Sequence, residues 1–439
     1  MGFVSMILTA VVVVHLYLWR RLVRASTTRG SRSRRVLTWA LVVLAALLVV
    51  TFVGSRSFGM DVARVVAWPG YLWLAVMFYL FVFGLVMEVP RAVATFVVSR
   101  RRRTAETAAP DRRAEGETAP VDEVVLAGAA AGGGAPAHGP ATGGRPAAEE
   151  AGPGAPVIDR RLFISRTASA VVAVGAVATV GYGVSRALGD PVIERVPIRL
   201  PRLDPRMNGL RIAVVSDIHL GPLTGRGHTE RIVRMINGLE ADAVAIVGDM
   251  VDGTVAELGR LAAPLKSLES RYGAYFVTGN HEYYTAAGPQ EWIEELRSLG
   301  VRPLRNERVE IRHAGAVLDL AGVNDLNGAP SGDGPDFDKA LGGRDANRPV
   351  VLLAHQPVQV TQAAAHGVDL QLSGHTHGGQ IVPFNLLVPL QQPVVSGLAS
   401  VPRAGGGDTQ VYVTRGAGFW GPPVRVGAPP EITLVELHS

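Results

Sequence analysis

The chain has 439 residues, 48% of them hydrophobic, a formal net charge of +5 and no cysteine. The absence of thiols excludes disulfides, thiolate nucleophiles and sulfur-ligated zinc, and the apolar share exceeds what a soluble domain with 18% charged residues needs, which points to membrane spans. Arginines crowd around the apolar runs, so the positive balance speaks for membrane topology and against nucleic-acid binding.

In chain order, three apolar runs come first, at residues 3–19, 36–53 and 71–87, the last extending toward residue 98. Each approaches the roughly 20 residues a helix needs to cross a bilayer. Arg20, Arg21, Arg24, Arg29, Arg32, Arg34 and Arg35 fill the loop between the first two runs, and residues 100–103 are four more arginines. The loop between the second and third runs holds only Arg56 and Arg64. The positive-inside rule then puts residues 20–35 and 100–160 in the cytoplasm and the N-terminus outside. Residues 1–103 thus read as a transmembrane region of three helices. Their interiors are nearly free of ionisable groups, His15 and Glu88 apart. The spans are therefore expected to anchor rather than transport, with His15 a helix-packing contact.

Residues 104–158 are rich in Ala, Gly, Pro and Glu and read as a disordered linker. As a flexible coil it would span roughly 40 Å. Its Gly-rich stretch, residues 128–144, has no strand before it and no Lys-Ser/Thr after it, so it is not a phosphate loop. A fourth apolar run at 162–185 lies within a predicted helix over 159–188. It opens Arg160-Arg161-Leu162-Phe163-Ile164, which resembles a twin-arginine export signal, although cytoplasmic-side anchoring is the simpler reading. Arg186, Arg195, Arg199 and Arg202 crowd its far side, so the first three spans decide the topology. The expectation is a multi-pass protein of the cytoplasmic membrane whose C-terminal domain lies outside.

Residues 190–439 have the texture of a globular α/β domain. Short β-rich runs fall at 211–216, 243–247, 274–278, 350–354, 369–372, 410–414 and 432–436, with helical stretches at 229–239 and 291–299. Strands alternating with helices, followed by strand-rich sequence, predict two packed sheets flanked by helices.

Five motifs carry the chemistry: Asp217-Ile218-His219, Gly248-Asp249-Met250-Val251-Asp252, Gly279-Asn280-His281-Glu282, a lone His355, and Gly374-His375-Thr376-His377. Asp217, Asp249 and Asn280 each follow an apolar strand, at the edge where α/β folds gather ligands. Asp217 and His219, two apart, would face the same way in extended backbone, and His375 and His377 repeat that spacing. A lone strand-end Asp is usually a turn or cap residue, and a lone buried His usually a satisfied core group. Five of the chain's 11 histidines at strand ends reverse that reading. Carboxylate, imidazole and amide donors in this number suit two divalent metals. His228, His313 and His366, outside the motifs, read as surface or capping residues.

The ordered motifs resemble the calcineurin-like metallophosphoesterase superfamily over residues 209–437. Gly374-His375-Thr376-His377-Gly378-Gly379-Gln380, with spans ahead, is similar to its membrane-associated bacterial branch. The resemblance implies an αββα sandwich behind a multi-span helical region. It implies Asp217, His219, Asp249 and His377 around one metal and Asn280, His355 and His375 around a second, with Asp249 bridging. It makes His281 the residue that protonates the leaving oxygen or stabilises the transition state, and Asp252 the carboxylate that orients a ligand histidine. Mn, Fe or Zn fits such donors. The expected function is hydrolysis of a phosphodiester, pyrophosphate or monoester, of a lipid or envelope-linked substrate. The alternative is a membrane sensor or scaffold that binds metal without turnover. The apolar loop at 381–401 reads as packing over the domain's own sheet, with an acyl groove or interfacial patch as the other reading. Tyr283, Tyr284 and Trp420 stand as candidate substrate contacts or core-edge fillers, and Arg415 with Gly416 as a weak phosphate contact. Oligomeric state is not legible.

Overall fold

The computed structural model describes residues 2–57, 60–107, 160–285, 287–403 and 405–439. Of the linker expected over 104–158, residues 104–107 continue the third helix, a correction to its start, and the rest, with its Gly-rich stretch, lies outside the described residues.

Four helices form the N-terminal bundle. α1 (Gly2–Leu18) passes into a π-helical turn at Trp19–Arg24, followed by α2 (Arg32–Ser57), α3 (Met60–Thr107) and α4 (Arg160–Leu188). Among the described residues three helical stretches are long and apolar enough to cross a membrane, Arg32–Gly54, Met60–Val93 and Leu162–Leu188. The first apolar run makes the 17-residue α1. Small residues let these helices close on each other. At Gly70 a Cβ would stand 1.7 Å from Thr51 Oγ1, so only glycine permits the approach of α3 to α2. His15 receives the Trp73 indole N–H at 3.2 Å, the packing contact expected of it. Glu88 is paired with Arg21 at 2.7 Å.

The C-terminal part is a two-sheet sandwich. The first sheet runs β1 (Val192–Arg199), β12 (Glu431–His438), β2 (Leu210–Val215), β3 (Ala243–Val247), β4 (Ala274–Val277), β5 (Val301–Pro303). The second runs β10 (Gly397–Pro402), β11 (Asp408–Val413), β9 (Leu370–Ser373), β8 (Val350–Leu353), β7 (Ala316–Gly322), β6 (Glu307–His313). β2 to β5 are mutually parallel, as are β7, β8, β9 and β11. Strands buried on both faces need continuous apolar sequence, and β3 and β8 are buried at every position.

Alternate residues sort into two layers. Val214, Ala245, Val247 and Val277 face Leu320, Val351, Leu353 and Leu372 between the sheets. Val215, Val244, Ile246 and Phe276 face outward onto α5 (Arg226–Asn237), α6 (Val255–Ala262) and α7 (Gln290–Ser298) through Ile232, Leu258 and Trp292. α8 (Phe337–Leu341) and α9 (Val360–Ala365) cover the outer face of the second sheet through Phe337, Leu341 and Ala363. The order is helix, sheet, sheet, helix, as expected.

Candidate active site

The carboxyl ends of five parallel strands meet at one edge of the sandwich. β2 delivers Asp217 and His219, β3 Asp249, β4 Asn280, β8 His355, and β9 His375 and His377. The backbone there is not extended. Asp217, His219, Asp249, His375 and His377 are five of the nine non-glycine residues with positive φ among those described. The convergence of each two-apart pair therefore comes from left-handed turns and not from strand alternation, a correction to the expected reason. Such conformations cost on the order of 1–3 kcal/mol each, and their clustering marks a functional site. Gly248 makes room for the turn after β3. It has φ +80°, and a Cβ on it would lie 2.5 Å from His355 Nδ1.

Three clusters result. In the first, His377 Nε2 lies 3.3 Å from Asp217 Oδ1 and 3.1 Å from His219 Nε2. In the second, Asp249 Oδ2 lies 3.2 Å from His355 Nε2, with His375 completing the group. Asp249 Oδ2 is also 3.9 Å from His219 Nε2, which places this carboxylate between the two clusters. Asn280 joins the second through Oδ1, 2.8 Å from His375 Nδ1. Its amide nitrogen donates to Tyr284 Oη at 3.0 Å, which turns its oxygen toward the histidine. In the third, one oxygen of Asp252 receives both His219 Nδ1 at 2.9 Å and His281 Nδ1 at 2.6 Å.

The donor set fits divalent metals. His355 donates from Nδ1 to the Val247 carbonyl at 2.8 Å. That turns Nε2, buried without a hydrogen-bond partner among the described residues, toward Asp249 at 3.2 Å. Burial alone would lower the pKa of this ring, but the Asp249 and Asp217 carboxylates outweigh it and raise the ring well above the usual imidazole value. A cation bound there would take the place of that proton. Burial, and then its charged neighbour His355, hold His375 down to about 3. Burial and the Arg425 guanidinium hold His377 well below the usual imidazole value. Both rings are therefore neutral and able to donate a lone pair. Burial alone would raise the pKa of Asp249, but His355 and His281 pull it well below the carboxylate range. His281 behaves oppositely. Burial lowers its pKa, but the Asp249 and Asp252 carboxylates outweigh that and push it up to about 9.

Two buried residues given no role from sequence organise this site. Glu282 accepts the backbone N–H groups of Gly279 at 2.6 Å, Met250 at 2.8 Å and Asp249 at 3.1 Å. It ties the turn after β4 to the loop after β3. Arg425 donates to the carbonyls of His377 at 2.8 Å and Gly418 at 2.9 Å, with Nη2 3.0 Å from His377 Nδ1. The available signals were Glu282's place inside a motif and one arginine flanked by Val424 and Val426.

Other expectations divide. Tyr284 and Trp420 are exposed beside His281, with ring centroids 4.7 and 5.9 Å from it. Tyr283 instead points its hydroxyl at Asp333, 2.9 Å away. Arg415 does not reach toward the site, because Glu194 and Glu431 hold its guanidinium at 2.7 and 2.9 Å. Gly416 instead backs Asp217, whose side chain leaves no room for a Cβ. His228 is buried rather than superficial, because the first turn of α5 packs against the domain core. His313 is half-buried on the Tyr272 hydroxyl, and His366 caps α9.

A family model for calcineurin-like phosphoesterase matches residues 210–379. A bovine (Bos taurus) transmembrane protein with metallophosphoesterase domain is 43% identical over 268 residues, 58% of this chain and 59% of that protein. An uncharacterized metallophosphoesterase of Helicobacter pylori strain J99 is 41% identical over 265 residues, 59% of this chain and 68% of that protein. One from Aquifex aeolicus is 34% identical over 249 residues, 56% of this chain and 92% of that protein. The match thus spans about three-fifths of the bovine relative's own length. With the strand-end clusters above, these likenesses give the family: the chain belongs to the calcineurin-like phosphoesterases.

Proposed function

We propose that this chain is a membrane-anchored phosphoesterase with a dinuclear metal centre. The carrying observation is the position of Asp249, whose Oδ2 lies within 3.2 Å of one histidine cluster and 3.9 Å of the other. Asp217, His219, Asp249 and His377 would hold one ion, and Asn280, His355, His375 and the shared Asp249 would hold the second. When bound, a pair of divalent cations (Mn, Fe or Zn) supplies an acidified water and neutralises phosphoryl charge.

The remaining work falls to the chain. Asp252 fixes the His219 ring through Nδ1, so that Nε2 faces Asp217 and His377. His281 carries a proton at neutral pH, stands at the mouth of the site, and gives that proton to the leaving oxygen. A binding-only scaffold has no use for a protonated histidine held this way, which favours turnover. The domain plan behind this reading is a transmembrane region over 1–103, a linker that starts after Thr107 and runs to 158, a further span over 159–188 and the catalytic domain over 190–439. The cytoplasmic membrane is the location and the catalytic domain faces outward. A tether of this kind favours a lipid or envelope-linked phosphoester.

The test is hydrolysis of an aryl phosphodiester and an aryl monoester by the full chain, metal-free and with Mn²⁺, beside Asp249→Asn. Metal-dependent turnover that the variant loses is expected. Two bound metals without turnover of either ester would favour the scaffold, and failure to bind metal would end the proposal.

A further inference from the structure

The apolar loop after the last histidine does not all pack on its own sheet. Val394, Ala399 and Val401 do so, against Val360, Val411 and Val413. The stretch before them does not. Phe384, Leu386, Leu387 and Leu390 are exposed, Leu386 by 71% and Leu390 by 80%. No Asp, Glu, Lys or Arg occurs in residues 378–402. An apolar surface of this kind marks an interaction site.

The structure also indicates what covers it. Val382 donates its backbone N–H to Val426 at 3.0 Å, and Ile381 bridges Val426 and Gly427. The 424–427 segment in turn rests on the spans. Arg425 N–H donates to the Gly183 carbonyl of α4 at 3.0 Å, and Val424, Val426 and Ile381 join one cluster with Tyr79, Val172 and Val180. Gly421 lies against Tyr71 of α3. Gly183 and Tyr71 both fall inside the stretches apolar enough to cross a bilayer. The exposed loop is therefore hydrogen-bonded to a segment seated at the end of those spans. On its other side, Gln380 bonds the backbone of Trp420 through both amide atoms, at 2.9 and 3.0 Å. Trp420 is 56% exposed and stands beside His281.

We propose that residues 382–390, with Trp420, bed into the interfacial layer of the same bilayer the spans cross, and that the site takes its phosphoester from a lipid held in that layer. The second half rests on the phosphoesterase reading; the first stands on the packing alone. Apolar side chains without charges suit burial at the headgroup–acyl boundary, and a tryptophan suits its polar edge.

The cysteine-free chain permits single nitroxide labels. The full chain in nanodiscs of phosphatidylcholine and phosphatidylglycerol would carry Leu386→Cys, Leu390→Cys or, as an exposed control on α8, Lys339→Cys. Labels at 386 and 390 are expected to collide more with oxygen than with a water-soluble nickel chelate, and the control the reverse. Water-like values at 386 and 390 would overturn the proposal, as would protection from both reagents, the signature of a second protein copy. The lipid half is read with two esters sharing one leaving group, methyl and hexadecyl p-nitrophenyl phosphate. At least a tenfold higher kcat/KM is expected for the hexadecyl ester embedded in the nanodisc. Turnover of the methyl ester alone would remove that half. Turnover of neither, with metal bound, would remove the phosphoesterase reading while the labels still decide the docking.

Discussion

His281 depends on a neighbour that none of the metal-ligand assignments includes. One oxygen of Asp252 holds both His219 and His281, so a single carboxylate aims one ring at the Asp217–His377 cluster and, together with Asp249, keeps the other protonated. Replacing His281 by Ala is expected to lower kcat by about 10²–10⁴, the usual contribution of a positioned acid, while metal analysis still finds two ions per chain. Undiminished kcat in that variant would remove its role as proton donor. The candidate ligands could be proposed from sequence because each follows an apolar strand, all but the lone His355 within a short motif. Glu282 and Arg425 were not, because their partners are backbone groups brought from distant segments, Asp249 and Met250 for one and His377 and Gly418 for the other. No periodicity records such a contact.

At the level of elements, the central strands other than β7 were legible and the edge strands were not. β3 and β8 are uninterrupted apolar runs, whereas β6 alternates Glu307, Arg308, Glu310 and Arg312 with few apolar residues and lies at a sheet edge. Charges on an edge strand discourage pairing with other chains but erase its signal. The hairpin to β7 turns at Ala314 and Gly315, both with positive φ, as a two-residue turn requires. α5 was recognised, but its first turn was misjudged. His228 sits there with Nε2 unpartnered among the described residues, and burial followed by Arg231 lowers its pKa from 6.5 to about 4. Between those values the unfolded chain binds a proton that the folded chain does not, so stability falls as pH drops from 6.5 to 4. The loss is about 3 kcal/mol over the whole window at 1.36 kcal/mol per pH unit. In detergent, the thermal midpoint of the full chain is therefore expected to fall less between pH 7.5 and 5 in His228→Leu than in the parent. Equal falls in both would show that this ring is not a source of acid sensitivity.

Across the whole molecule, the bundle has two unlike ends. At one, Arg166 Nε of α4 donates to the Ser26 carbonyl at 3.1 Å, so the start of α4 meets the arginine-rich turn between α1 and α2. At the other, Met60 packs against the sandwich core and Arg425 N–H reaches Gly183. The 34-residue stretch Met60–Val93 extends about 51 Å at 1.5 Å per residue, roughly 20 Å more than a hydrocarbon core needs. Because Met60 packs against the sandwich core and a Cβ on Gly421 would stand 3.7 Å from the Tyr71 ring, that excess stands on the sandwich side. If the arginine-dense turn lies in the cytoplasm, as the positive-inside rule expects, the sandwich lies on the opposite face. An alkaline phosphatase fused after residue 439, active only once exported, is expected to be active, and a fluorescent protein that matures only in the cytoplasm is expected to stay dark there. The reverse pair of results would put the phosphoesterase domain inside and the arginine-rich turn between α1 and α2 outside, against the positive-inside rule.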